Sequence, residues 1–117
     1  MRTKVLLIED DDDAREVLQL SLEAEGQPAT VAGTGAEGLA LAESLRPDVV
    51  FVDLKLPDVD GFEVARRLRA LLGRSVRLVA LTGFGRPADR DATRAAGFDG
   101  HLVKPIGADA ILALLAA

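Results

Sequence analysis

The stretch that decides the fold is Val49-Val50-Phe51-Val52-Asp53-Leu54-Lys55-Leu56-Pro57. Its first four residues are apolar and mostly β-branched, which is typical of a strand buried on both faces of a parallel sheet. Asp53 ends the apolar run, and Pro57 cannot continue a hydrogen-bonded strand. Open α/β sheets build their sites at the carboxyl ends of the strands, so Asp53 is a candidate site residue. The alternative is a solvated aspartate that merely opens a loop.

Composition excludes several classes of protein. The 117 residues predict one domain over residues 1–117, and the 49% hydrophobic content predicts a well-buried core. A net charge of −5 argues against nucleic-acid binding. The sequence contains no cysteine and one histidine, which excludes disulfides, thiolate metal sites and multi-histidine zinc centres. The apolar run near the start of the chain is too short for a signal peptide or a membrane span, and acidic residues follow it at once from Glu9. We therefore expect a cytoplasmic location.

Apolar runs and turn residues predict five strands that alternate with five helices. The strands are predicted at Val5–Ile8, Ala29–Ala32, Val49–Val52, Val76–Leu81 and His101–Val103. The helices are predicted at about Ala14–Glu25, from Thr34 or Gly35 to the Arg46-Pro47 pair, from Asp60 to about Leu72, at Ala88–Ala96 and at Ala108–Leu115. Right-handed crossovers then give an α/β fold, a three-layer sandwich of helices around a parallel sheet.

Local signals predict the helix ends and faces. Asp12 or Asp13 is expected to cap the first helix, and Asp60 with Glu63 predicts a capping box on the third. The apolar stripe of the first helix is expected to comprise Ala14, Val17, Leu18, Ser21 and Leu22. Leu20 falls off this stripe. The fourth helix carries alanines but no large apolar residue, so we expect it to pack lightly and to shift easily.

Chemically useful side chains follow four of the predicted strands. Glu9 and Asp10 follow the first strand, Asp53 ends the third, Thr82 follows the fourth and Lys104 follows the fifth. If these strands are parallel, the side chains share one edge of the sheet. Crowded carboxylates repel unless a cation joins them, and oxygen ligands suit a hard ion such as Mg²⁺. A lysine and a hydroxyl beside such an ion would bind a phosphoryl group.

Each member of this set also has an ordinary structural interpretation. Asp11, Asp12 and Asp13 fit an acidic first turn of a helix. Thr82 alone fits a strand-end hydroxyl bonded to the backbone, and Lys104 alone fits a solvated charge. His101 is flanked by apolar residues, which favours partial burial over metal ligation. These interpretations do not explain why all four strand ends carry matching chemistry.

The ordered set resembles the receiver domain of two-component response regulators, of the chemotaxis-regulator type, over essentially the whole chain. The motifs that carry the resemblance are Glu9-Asp10, Asp53, the loop Leu54-Lys55-Leu56-Pro57-Asp58-Val59-Asp60-Gly61, Thr82-Gly83 and Val103-Lys104-Pro105. Receivers have the flavodoxin-like strand order 2-1-3-4-5. The resemblance therefore implies that order for this chain.

The resemblance also implies roles for individual residues. Asp53 would accept a phosphoryl group from a phosphohistidine on a partner. Mg²⁺ (or Mn²⁺) would be held by Asp10, Asp53 and the main-chain carbonyl of Lys55, with Glu9 acting through water. Lys104 would pair with the phosphate, and Thr82 would move to bind it. His101 stands where the family usually has an aromatic switch residue. A cis bond between Lys104 and Pro105 is implied as well.

A signalling role follows from this resemblance. The partner would be a histidine kinase or a phosphotransfer protein, docking at the start of the first helix and the loop after the fifth strand, with Leu20 as a weaker contact. The face formed by the fourth helix, fifth strand and fifth helix would transmit the signal to an effector or a fused output domain. The same face could form a phosphorylation-dependent homodimer. The domain would catalyse only its own phosphorylation and dephosphorylation. Phe84 is expected to screen the phosphate from water.

Two other functions remain open. The first is a binding module of the same fold that never needs phosphate, although the intact acid, aspartate, threonine and lysine set argues against it. The second is a phosphohydrolase with an aspartyl nucleophile, resembling the haloacid dehalogenases. Those enzymes need a second aspartate two residues after the nucleophile, and that position is Lys55 here.

Overall fold

The fold is a five-stranded parallel sheet with helices on both faces. A computed structural model describes residues 3–83 and 87–116, and the side chains of 87–89 are not discussed. The strands are β1 (Val5–Ile8), β2 (Ala29–Ala32), β3 (Val49–Asp53), β4 (Arg77–Thr82) and β5 (Gly100–Val103). The helices are α1 (Asp12–Ala24), α2 (Gly35–Leu45), α3 (Gly61–Leu72), α4 (Pro87–Ala95) and α5 (Ala108–Ala116). The strand order is β2-β1-β3-β4-β5, which confirms the predicted fold class.

Successive strand residues alternate between two hydrophobic cores. One face of the sheet packs against α2 and α3 through a cluster that includes Ile8, Val52 and Leu68. The opposite face packs against α1 and α5 through a cluster that includes Phe51 and Ile111. Because both faces are covered, β1 and β3 are apolar at nearly every position, as buried parallel strands should be. Strand pairing and packing on both faces thus define where β1, β3 and β4 end.

Helix α1 differs from its prediction at both its start and its face. Asp11 is the N-cap rather than Asp12 or Asp13, since its side chain accepts the amide of Ala14 at 3.0 Å. The predicted inward residue Val17 is 62% exposed. Leu18 and Leu22 of the same stripe are buried as predicted, so the face of α1 that contacts the sheet is narrower than the predicted stripe. Leu20 is exposed, as expected.

Helix α3 begins with half of the predicted capping box. Asp60 is the N-cap and accepts the amide of Phe62 at 2.8 Å. The Glu63 carboxylate instead accepts hydrogen bonds from Arg66 and Arg67, both at 3.0 Å. Because the Glu63 carboxylate pairs with two arginines on the helix surface, the second bond of the capping box, from Glu63 back to the N-cap amide, is replaced by these ion pairs.

Other boundaries agree with the prediction to within about one residue. β4 and β5 start one residue away from the predicted positions, and α4 begins at Pro87, which suits the first turn of a helix. The predicted role of Phe84 falls outside the described residues. Each helix in the described part of the chain is too short or too polar to span a lipid bilayer.

Candidate phosphoacceptor site

The strand register brings the predicted site residues to one edge of the sheet. Ile8 of β1 pairs with Val52 of β3, so Glu9 and Asp53 come next on adjacent strands. Asp53 pairs with Leu81 of β4, and Thr82 pairs with Val103 of β5. The four strand ends therefore meet where the sequence predicted.

Three carboxylates form a compact cluster at this edge. Glu9, Asp10 and Asp53 each offer an oxygen, and these atoms lie within 4.8 Å of one another. Glu9 and Asp53 are buried at 3% and 2% exposure, whereas Asp10 is exposed. The amide of Glu9 donates to the carbonyl of Ala32 at 3.0 Å, which fixes the backbone at the end of β1.

Lys104 joins two of these acids. Its Nζ lies 2.7 Å from Oδ2 of Asp53 and 3.3 Å from Oε1 of Glu9. Its amide donates to the carbonyl of Thr82 at 2.7 Å, and the Lys104–Pro105 peptide bond is cis. Burial acts to lower the pKa of Lys104, but the hydrogen bond and charge of Asp53 outweigh burial and raise it. Lys104 is thus a cation fixed against the carboxylate of Asp53.

The pKa values of the two buried acids, Glu9 and Asp53, shift in opposite directions. Burial, and then the hydrogen bond and charge of Asp53, raise the pKa of Glu9 to about 8. Burial also acts to raise the pKa of Asp53, but hydrogen bonds from Glu9, Lys104 and the Lys55 amide lower it overall. The pKa of Asp10 is raised by desolvation and by Asp53. In the metal-free site, the surroundings therefore favour the ionised form of Asp53 and the protonated form of Glu9.

The donor set fits a hard divalent cation. Oε2 of Glu9 is buried and has no hydrogen-bond partner among the described residues, a costly state for an oxygen. An ion at the cluster, with its bound water, would satisfy this atom and offset the repulsion among the carboxylates. The main chain of Lys55 is also close, since its amide donates to Oδ1 of Asp53 at 2.9 Å.

A half-open cleft of about 450 Å³ lies beside Asp53. Thr82, Gly83, Lys55 and Lys104 line it together with apolar side chains of α3 and β4. Thr82 is buried at 4% exposure. His101 is half-buried on β5 and pairs with Ala80, two residues before Thr82 on the neighbouring strand. The cleft is large enough for a phosphoryl group.

Two further residues shape this site without having been assigned a role from sequence. A Cβ on Gly61 would lie 2.6 Å from the carbonyl oxygen of Asp53, so only glycine fits there. Asp58 hydrogen-bonds to the start of α2, 23 residues away in the chain. The Asp60-Gly61 pair could have indicated a tight turn at Gly61, whereas no local sequence pattern indicates that Asp58 binds the start of α2.

The raised pKa of Glu9 predicts an unusual pH dependence of stability. In metal-free protein, the fold holds this proton more tightly than the unfolded chain does between pH 4.5 and 8. The free energy of unfolding should therefore fall as pH rises through that window. The expected loss is on the order of a few kcal/mol, since one pKa unit corresponds to about 1.4 kcal/mol.

Urea denaturation in EDTA at several pH values checks this expectation. Glu9→Gln should flatten the slope, whereas Glu43→Gln, which changes an exposed carboxyl of α2, should keep it. A parent protein that gains stability across the same window would contradict the assignment of the proton to Glu9.

Comparisons with known proteins agree with this geometry. Residues 5–116 match the family model of the response regulator receiver domain. The response regulator MprA of Mycolicibacterium vanbaalenii is 37% identical over 117 residues, which cover 100% of this chain and 50% of that protein. This chain thus spans about half the length of that relative.

Solved structures give the same result. The chemotaxis protein CheY4 of Vibrio cholerae has a TM-score of 0.92 at 29% identity, covering 99% of this chain and 98% of that one. The receiver domain of the sensor histidine kinase PA1611 from Pseudomonas aeruginosa, with a magnesium ion coordinated in its active-site cleft, has a TM-score of 0.86 at 30% identity. That likeness covers 98% of this chain and 95% of the other. The chain belongs to the response regulator receiver domain family, the phosphoacceptor domains of two-component signalling.

Proposed function

We propose that Asp53 is the residue that accepts the phosphoryl group, from a phosphohistidine of a histidine kinase or a phosphotransfer protein. The observation that carries this proposal is the contact of 2.7 Å between Nζ of Lys104 and Oδ2 of Asp53. This contact supports a role for Asp53 as an ionised, oriented nucleophile at the wall of an open cleft. Its carboxylate oxygen attacks phosphorus, the phosphorus–nitrogen bond breaks, and the imidazole leaves.

The proposed metal is Mg²⁺ or Mn²⁺. Asp10, Asp53 and the main-chain carbonyl of Lys55 would hold it, with Glu9 acting through water. The ion would neutralise charge on the transferred phosphoryl oxygens. The carboxylate cluster and the unsatisfied oxygen of Glu9 support this set, as does the magnesium in the cleft of the PA1611 receiver.

Lys104 and Thr82 would bind the phosphoryl group once it is attached. Phosphorylation of Asp53 adds negative charge directly beside the Lys104 ammonium, which favours a charge-assisted bond to a phosphoryl oxygen. The hydroxyl of Thr82 would donate a second bond from the end of β4. Transfer of a phosphoryl group needs alignment and charge stabilisation, and these two side chains would provide both.

The same bonds would pass the signal to the surface. Movement of Thr82 toward the phosphate would leave space beside β4, which His101 on the adjacent strand would occupy. The face of α4, β5 and α5 would change as a result, and we propose it as the output surface and as the contact of a phosphorylation-dependent homodimer. The catalysed reactions would be limited to phosphorylation and dephosphorylation of the domain itself. Residues 1–117 would form one such receiver, whose effector is a separate protein or a fused output domain.

Incubation with acetyl phosphate tests this function. With Mg²⁺ present, intact-mass spectrometry should show one added phosphoryl group, and EDTA should abolish the adduct. Absence of an adduct in both conditions would contradict the phosphoacceptor role and favour the phosphate-independent binding module. Sustained consumption of acetyl phosphate without an adduct would favour the phosphohydrolase.

A further inference from the structure

The loop between β3 and α3, residues 54–60, contains Lys55, which lies two positions after Asp53 in the chain. Its start is bound to the sheet, since the amide of Leu54 donates to the carbonyl of Leu81 at 3.1 Å. Its end is closed by the amide of Gly61, which donates to the carbonyl of Leu54 at 3.2 Å. The position of Lys55 therefore depends on how the middle of this loop is held.

Asp58 connects the middle of this loop to α2. Its Oδ1 accepts the amide of Gly35 at 2.8 Å, and its Oδ2 accepts the amide of Ala36 at 2.9 Å. These are the first two amides of α2, which have no partner within the helix itself. The bonds from Ala36 and Gly35 also lower the pKa of Asp58, so its carboxylate is charged when it makes them.

The loop and the helix are in close contact at this point. A Cβ on Gly35 would lie 3.1 Å from Cβ of Val59 and 3.3 Å from Oδ1 of Asp58. The absence of a side chain at Gly35 thus lets residues 58 and 59 reach the helix backbone. The contact therefore comprises two hydrogen bonds and a close approach at Gly35, although Asp58 itself is exposed.

Helix α2 also has an N-cap of its own. The Thr34 hydroxyl accepts the amide of Glu37 at 3.1 Å. Thr34 and Asp58 therefore satisfy different amides of the same helix start, one from within the segment and one from the loop of the site. A change at either residue weakens the same end of α2, but only a change at Asp58 releases the loop.

We propose that Asp58 is a positioning residue for the site: by fastening the loop to the first turn of α2, it holds Lys55 beside Asp53 and so sets the affinity for the divalent cation. The part concerning the cation rests on the proposed function. The part concerning the loop rests on the bond between the Lys55 amide and Oδ1 of Asp53, which exists without a metal.

The experiment compares Asp58→Ala with Thr34→Ala as a matched control. Hydrogen exchange of the Lys55 amide, measured by NMR on metal-free protein, should become about tenfold faster in Asp58→Ala and stay unchanged in Thr34→Ala. Calorimetric titration with Mg²⁺ should show about tenfold weaker binding in Asp58→Ala and parental affinity in Thr34→Ala. Asp58→Asn retains one acceptor oxygen and should fall between the parent and Asp58→Ala.

The two readouts separate the possible failures. If the parent protein does not bind Mg²⁺, the proposed function fails, and exchange at Lys55 still decides the positioning role. If the parent binds Mg²⁺ and both alanine variants change equally in exchange and affinity, Asp58 is only a second cap of α2 and the positioning role is refuted. Unchanged exchange at Lys55 in Asp58→Ala would refute it as well.

Discussion

The Asp53→Asn variant is expected to form no phosphate adduct with acetyl phosphate and Mg²⁺. The substitution keeps nearly the same shape but replaces the attacking carboxylate with an amide, which is not a nucleophile at neutral pH. It also removes the charge that holds Nζ of Lys104 at 2.7 Å. Complete loss of the adduct by intact-mass spectrometry, with an unchanged circular dichroism spectrum, is the expected result.

The matched control is Asp13→Asn. Asp13 is an exposed carboxyl in the first turn of α1, and it lies outside the cluster of Glu9, Asp10 and Asp53. This variant should accept phosphate at the parental rate. An adduct that persists in Asp53→Asn would mean that another carboxylate is the acceptor, and peptide mapping would identify it.

The Gly61→Ala variant is expected to lose on the order of 3 kcal/mol of folding free energy, the scale of a severe steric clash in a packed interior. The added Cβ would lie 2.6 Å from both the carbonyl oxygen of Asp53 and Cα of Leu54. These are backbone atoms, so no side-chain rotation relieves the clash. Either α3 or the end of β3 has to move.

Urea denaturation measures the free energies of unfolding of Gly61→Ala and of the control variant Gly100→Ala. A Cβ at Gly100 would meet nothing within 4 Å, so its alanine variant should stay within about 0.5 kcal/mol of the parent. Because the end of β3 carries the acceptor, Gly61→Ala should also slow phosphorylation of the folded protein. Equal stability of the two variants would show that the start of α3 accommodates a methyl group without strain.

The two buried acids show why a single strand-end carboxylate is ambiguous and a cluster is not. Asp53 alone would be explained as a loop residue. Once Glu9 shares its surroundings, burial penalises both charges, and the cation of Lys104 favours the ionised form of Asp53. The surroundings thus favour the charge on Asp53 and the proton on Glu9, so the two acids differ in their chemistry.

Much of the fold was predictable because its signals are local. The apolar run from Val49 to Val52 marks a strand buried on both faces, and glycine or proline ends most helices within one residue of the predicted positions. The errors occurred where a helix meets its neighbours. Val17 is exposed because the contact line of α1 on the sheet depends on tertiary packing, which the helical period does not specify.

By itself, the sequence determined the alternating α/β fold and the placement of Glu9, Asp10, Asp53, Thr82 and Lys104 at strand ends. Apolar periodicity and chain order are sufficient for that, because parallel strands bring their carboxyl ends to one edge. Only the tertiary structure decided in which direction the pKa of each buried acid shifts, which oxygen Lys104 contacts, and that Asp58 reaches α2. These properties depend on burial and on distances between residues far apart in the chain, and no local pattern encodes either.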